Sequence, residues 1–168
     1  MTILTKKRSP FFGEIVDSQV VLSGMGEIAT NCWLEIPTHH AKGELILGEF
    51  VVMPDHVHGI VAIYDAIDKE VTDSDSVRAW HAMPLRDQAD NTAPGGIFGR
   101  PVSGSLSTIV ASYKSAVTKT ARRCGFQDFA WHRGFHDRII RDQDELIRIE
   151  DYIRSNPENW GKDDNETW

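Results

Sequence analysis

Glu44-Leu-Ile-Leu-Gly-Glu-Phe-Val-Val-Met53 and Val57-His-Gly-Ile-Val-Ala-Ile-Tyr64 are two strongly apolar runs, separated by Pro54-Asp55-His56. Proline presets the backbone for a turn and aspartate bonds its own neighbouring amides. The stretch therefore predicts a tight antiparallel strand pair. Upstream, Phe11–Val16 and Gln19–Leu22 flank Asp17-Ser18 as a small hairpin, and Met1–Thr5 reads as an edge strand. Ile28, Cys32 and Ile36 recur at helical spacing, so Glu27 to Ile36 predicts an amphipathic helix stopped by Pro37.

Downstream, Ser105–Arg123 carries an apolar stripe at Leu106, Ile109, Tyr113, Ala116, Val117 and Ala121, a long helix ending near Gly125. Phe129–Arg141 reads as a strand or strand pair. Asp142–Asn156 reads as a final helix, capped by Asp142 with Glu145 three residues on. The order of strand, helix, strand pair, helix, strand and helix predicts the α+β class. Its expected form is a ferredoxin-like α/β sandwich, an antiparallel sheet with helices mainly on one face.

The 168 residues suit one domain, 1–168, interrupted by a flexible insertion at 65–103 that is rich in Asp, Ser, Gly and Pro, with a short helix near Val77–Met83. A composition 40% hydrophobic and 26% charged is that of a globular chain. No run approaches the roughly 20 apolar residues of a membrane helix, and the first residues lack the apolar core of a signal peptide. Cys32 and Cys124 have neither zinc-site nor disulfide-framework spacing, so a reducing cytoplasm is the expected location.

The net charge of −7 hides an uneven distribution: eight Lys/Arg lie between Arg100 and Arg141 against Asp128 and Asp137 alone. Lys114, Lys119, Arg122 and Arg123 lie on or near one face of the long helix, and Arg133 and Arg138 follow. Such a cluster is a candidate phosphate-binding face on an acidic body, or simply a solvated surface.

Two groups of residues carry possible chemistry. His56 and His58 stand two apart on a strand, so both imidazoles project from one face while Val57 points away. They could clamp a divalent metal, or be an ordinary half-buried pair. Tyr152 and Asn156 are four apart, sharing a face of the last helix with Arg148 one turn earlier. Pro157 is expected to end that helix at Asn156. Separately, Tyr152 fits a half-buried aromatic and Asn156 a helix cap. Together with the histidines they suggest one site, in which a metal offsets the poor nucleophilicity of a phenol with a pKa near 10. Mg²⁺ or Mn²⁺ suits two imidazoles and an amide oxygen with open water positions.

Met53-Pro-Asp-His56-Val-His58 resembles the His-hydrophobic-His signature of the HUH single-strand DNA nucleases. Trp131-His-Arg-Gly-Phe-His-Asp-Arg-Ile-Ile-Arg141 and Asp151-Tyr-Ile-Arg-Ser-Asn-Pro157 are similar to the REP-associated tyrosine transposases. The resemblance covers Phe11 to Trp160 apart from the insertion. It implies an HUH nuclease fold, with Tyr152 as the nucleophile leaving a 5′-phosphotyrosine and a free 3′-hydroxyl. It also implies that His56, His58 and Asn156 hold the metal, and that single-stranded DNA folded into repetitive extragenic palindrome hairpins is the substrate. Tyr64 and Tyr113 lie in other elements, which favours the single-tyrosine class, acting as a monomer or homodimer. Lys114, Lys119, Arg122, Arg123, Arg133 and Arg138 would contact the DNA. A hairpin binder that has lost turnover and a phosphoesterase using activated water remain as alternatives. Asp55 departs from the family, whose members more often carry Asn there.

Overall fold

The Pro54-Asp55 turn joins the two longest strands. β4 (Glu44–Met53) and β5 (His56–Tyr64) pair antiparallel with Met53 opposite His56. β1 (Thr2–Leu4) pairs antiparallel with the other side of β5, giving the order β1-β5-β4. The molecule is described by a computed structural model at residues 1–39, 44–64 and 105–161. The insertion expected at 65–103, with its helix near Val77–Met83, lies outside these residues.

β2 (Gly13–Val16) and β3 (Gln19–Leu22) form the expected hairpin. Asp17 and Ser18 adopt φ of 49° and 61°. Paired positive φ angles match the right-handed twist of the two strands, and aspartate tolerates them better than most residues.

The β4–β5 register slips between Leu47 and Phe50, where β4 holds one residue more than its partner. This bulge keeps Leu45, Leu47, Phe50 and Val52 all against the core, which strict alternation from Leu47 would not do. On that face lie α1 (Gly24–Leu34) and α3 (Leu106–Arg123). Trp33, Tyr113, Val57, Ile3 and Phe12 interlock between helices and sheet. Removing each large apolar side chain from water contributes about 2 kcal/mol before entropy is counted. Gly59 is required here, because a Cβ at that position would collide with the Trp33 ring. α4 (Gln143–Asn159) lies against β4 and across the opposite face of the sheet, toward which His56 and His58 project. The result is the expected α+β sandwich, with two long helices on one face and one on the other.

Three local expectations are corrected. Pro37 does not stop the first helix. α1 ends at Leu34, and Pro37 sits inside a separate short helix, α2 (Ile36–His39), where a first-turn proline has no hydrogen bond to lose.

Residues 129–141 form no strand. Only isolated bridges, Thr5 to Trp131 and Thr2 to His136, lay the segment along the outer edge of β1. Phe129 is drawn into the core, and neither end of the segment supplies a continuous run of inward side chains.

Pro157 does not terminate the last helix, which continues to Asn159. The missing proline N–H removes one bond in the last turn. The Asn159 side chain donates to the Ser155 carbonyl at 3.2 Å and helps hold that turn.

Candidate active site

β5 projects His56 and His58 from one face, as period-two alternation requires, and the two rings lie 4.4 Å apart between centroids. They are 1% and 4% exposed. The Nδ1 atom of each is held by another side chain. His56 Nδ1 is 2.6 Å from Asp55 Oδ1, and His58 Nδ1 is 2.8 Å from Thr2 Oγ1. A carboxylate can only accept, so His56 donates through Nδ1, and in the neutral ring Nε2 carries the lone pair. That buried Nε2 has no hydrogen-bond partner among the described residues. An orphaned imidazole nitrogen inside a protein is costly unless something fills the place.

Burial, with the charge of His56 second, pulls the His58 pKa down to about 3, so this ring is neutral at physiological pH. Burial alone would push the Asp55 carboxyl up. Hydrogen bonds from His56 and Arg8, and their charges, instead hold it below the usual carboxylate range. Arg8 Nε donates to Asp55 Oδ2 at 2.9 Å from a short 3₁₀ turn, Lys6–Arg8, in which Lys7 and Arg8 take φ of 59° and 51°.

α4 completes the site. Its start is fixed by the Asp142 side chain, which accepts from the Glu145 amide at 2.7 Å, while Glu145 Oε2 accepts from the Arg141 amide at 2.9 Å. Its middle is anchored by buried Ile153 and by Arg154, which donates to Glu49 on β4 at 2.8 Å. With the helix so placed, the Tyr152 ring meets His58 edge-on at 5.6 Å between centroids. Trp160 lies nearly parallel over His56 at 5.9 Å. Asn156 stands one helical turn from Tyr152 and one from Trp160, and is 6% exposed between them. Among the described residues no three His, Cys, Asp or Glu side chains gather as a metal cluster. The donor chemistry and the orphaned Nε2 fit a divalent cation. Arg148, predicted on the same stripe, is exposed to solvent.

The basic residues gather elsewhere. Lys114, Lys119, Arg122 and Arg123 of α3, with Arg133 and the Trp131 indole, line an open recess of about 760 Å³ on the side of the sheet opposite the histidines. Lys114 is largely committed to structure, since its ammonium donates to the carbonyls of His132 and Gly134 at 2.7 and 2.9 Å. Arg138 is not part of the recess; it pairs with Glu145 at 2.7 Å. Trp131 packs on Phe12, Tyr113 and Phe129 and donates to the Lys114 carbonyl at 3.1 Å, so its ring is mostly wall.

Arg8 and Thr2 beside this group are additions from the structure, whereas Asp55 is already marked in the sequence as a departure next to His56. Thr2 and Arg8 reach the site across 56 and 47 residues and carry no local signal.

No family model matches the chain. An uncharacterized protein of Haemophilus influenzae is 29% identical over 163 residues, covering 97% of this chain and 81% of that protein. Among solved structures, a REP-associated tyrosine transposase bound to a REP hairpin superposes with a TM-score of 0.54 at 15% identity. The match covers 95% of this chain and 66% of that one, so the chain spans just under two thirds of its length. The architecture described above is therefore shared with that structure. No helix among the described residues is long and apolar enough to cross a membrane.

Proposed function

We propose that this chain is a metal-dependent single-strand DNA endonuclease and transesterase of the transposase type, acting on hairpin DNA through Tyr152. The observation that carries the proposal is the Tyr152 ring set on His58 beside the buried, unpartnered Nε2 of His56. His56, His58 and Asn156 would hold Mg²⁺ or Mn²⁺. When bound, the cation would polarise a phosphate oxygen and offset the charge that builds on attack. Tyr152 Oη would bond to phosphorus, giving a 5′-phosphotyrosine, while the departing oxygen takes a proton to become a 3′-hydroxyl. The neutral, buried His58 keeps its lone pair available at physiological pH. Trp160, stacked 5.9 Å from His56, would help keep water from the site.

The proposed partner is single-stranded DNA bearing a hairpin; the structurally similar transposase is bound to a REP hairpin. Lys119, Arg122, Arg123 and Arg133, with the remaining capacity of Lys114, would bind its phosphates, and Arg138 would join them only by leaving Glu145. Backbone contacts of this kind give affinity without reading bases. The protein would act as a monomer or a homodimer.

The test is a denaturing gel of protein, Mn²⁺ and labelled single-stranded hairpins from repeats flanking its own gene. A labelled band at protein mass that is absent with Tyr152→Phe supports the reading. Cleavage that survives Tyr152→Phe points to activated water. A gel shift with neither adduct nor cleavage identifies a hairpin binder without turnover.

A further inference from the structure

The chain Arg8–Asp55–His56 is built in a way that the chemistry above does not require. Asp55 is 5% exposed, and its two carboxylate oxygens are divided, Oδ1 to His56 Nδ1 at 2.6 Å and Oδ2 to Arg8 Nε at 2.9 Å. Its backbone is fixed as well, since its carbonyl accepts from the Thr5 amide at 2.9 Å. A carboxylate held at both oxygens cannot swing away, and an ionised one imposes a single tautomer on the imidazole that donates to it. Arg8 reaches it from the Lys6–Arg8 turn, which adopts a left-handed backbone at two non-glycine residues. Such conformations persist where surrounding contacts enforce them.

We propose that Arg8 and Asp55 are positioning residues that lock His56 in its Nδ1–H tautomer and aim Nε2 as a metal ligand. The proposal rests on the metal-site reading above. Both would act through the His56 ring, Asp55 directly and Arg8 by holding Asp55. An asparagine at position 55 could still accept weakly through its amide oxygen, but it would carry no charge to raise the basicity of the imidazole or to retain Arg8.

The test combines long-range ¹H–¹⁵N correlation spectra of the metal-free protein with Mn²⁺ titrations followed by electron paramagnetic resonance. In the unsubstituted protein His56 should show the Nδ1–H tautomer. Asp55→Asn should mix the tautomers and weaken Mn²⁺ binding about tenfold or more, the usual effect of losing such an outer partner. Arg8→Gln should move both readouts the same way by less. Its side chain is 51% exposed, so that variant carries the test if Asp55→Asn does not fold. An Nε2–H tautomer at His56 in the unsubstituted protein overturns the proposal. So does unchanged Mn²⁺ affinity in both variants. If the unsubstituted protein binds Mn²⁺ no better than His56→Ala with His58→Ala, the metal-site reading has failed instead, and the tautomer spectra alone then decide whether Asp55 fixes the ring.

Discussion

Tyr152 meets His58 with ring centroids 5.6 Å apart and planes inclined at 75°, although the two residues belong to a helix and a strand far apart in the chain. The contact leaves the phenol half-buried rather than sealed in the core. A purely structural tyrosine and a nucleophile can then be separated, because phenylalanine keeps the ring contact and loses only the hydroxyl. Tyr152→Phe is expected to abolish the covalent DNA adduct while hairpin affinity stays within about twofold, read by gel shift. Its free energy of unfolding from urea titration should stay within about 1 kcal/mol of the parent, within the range of one modest hydrogen bond.

His58 predicts a pH dependence with a definite sign. Its folded pKa lies near 3, below the ordinary 6.5, so in that interval the unfolded chain binds a proton that the folded chain refuses. Stability from this group is therefore fully kept above about pH 6.5 and falls as pH drops toward 3, by up to about 1.4 kcal/mol per unit. Urea titrations in chelator between pH 7 and pH 4 should show that loss. The slope should be shallower in His58→Gln, whatever that variant's absolute stability. An equal slope would show that His58 is not the buried neutral group described.

The α3 recess predicts an affinity effect separate from chemistry. Lys119→Ala combined with Arg122→Ala should weaken hairpin binding roughly equally for all hairpin sequences and reduce the salt dependence of log Kd by about one unit per phosphate contact removed. Single-turnover cleavage at saturating protein should be unchanged, because the recess and the histidine face lie on opposite sides of the sheet. A fall in cleavage at saturation would tie the recess to the chemistry.

Gly59→Ala should be destabilising by about 1–3 kcal/mol, since the added methyl would enter the space of the Trp33 ring, which packs between sheet and helices. Thermal melts would show it. The paired change Gly59→Ala with Trp33→Leu should recover part of the overpacking cost, but not the burial lost with the indole.

The β4–β5 pair and the N-cap of α4 were legible because each is written locally, in apolar runs broken by Pro54-Asp55 and in Asp142 three residues before Glu145. The shared face of Tyr152 and Asn156 was legible for the same reason. Residues 129–141 misled because Phe129 and Trp131 alternate like strand residues, while the segment earns only two isolated bridges beside β1. Pro157 misled because its cost is small in a last turn that other groups also hold. Charge alone grouped Arg138 with the α3 cations, although it pairs with Glu145. The contacts of Thr2 and Arg8 depend on how β1 and the turn after it dock beside β5, which no short window of sequence encodes.

The most direct measurement is mass spectrometry of the tryptic peptide Ile149–Arg154 after reaction with a single-stranded hairpin and Mn²⁺, followed by nuclease trimming. A nucleotide joined through its 5′-phosphate to Tyr152 is the expected result. Cleaved DNA accompanied only by the unmodified peptide would contradict the assignment of Tyr152 as the nucleophile.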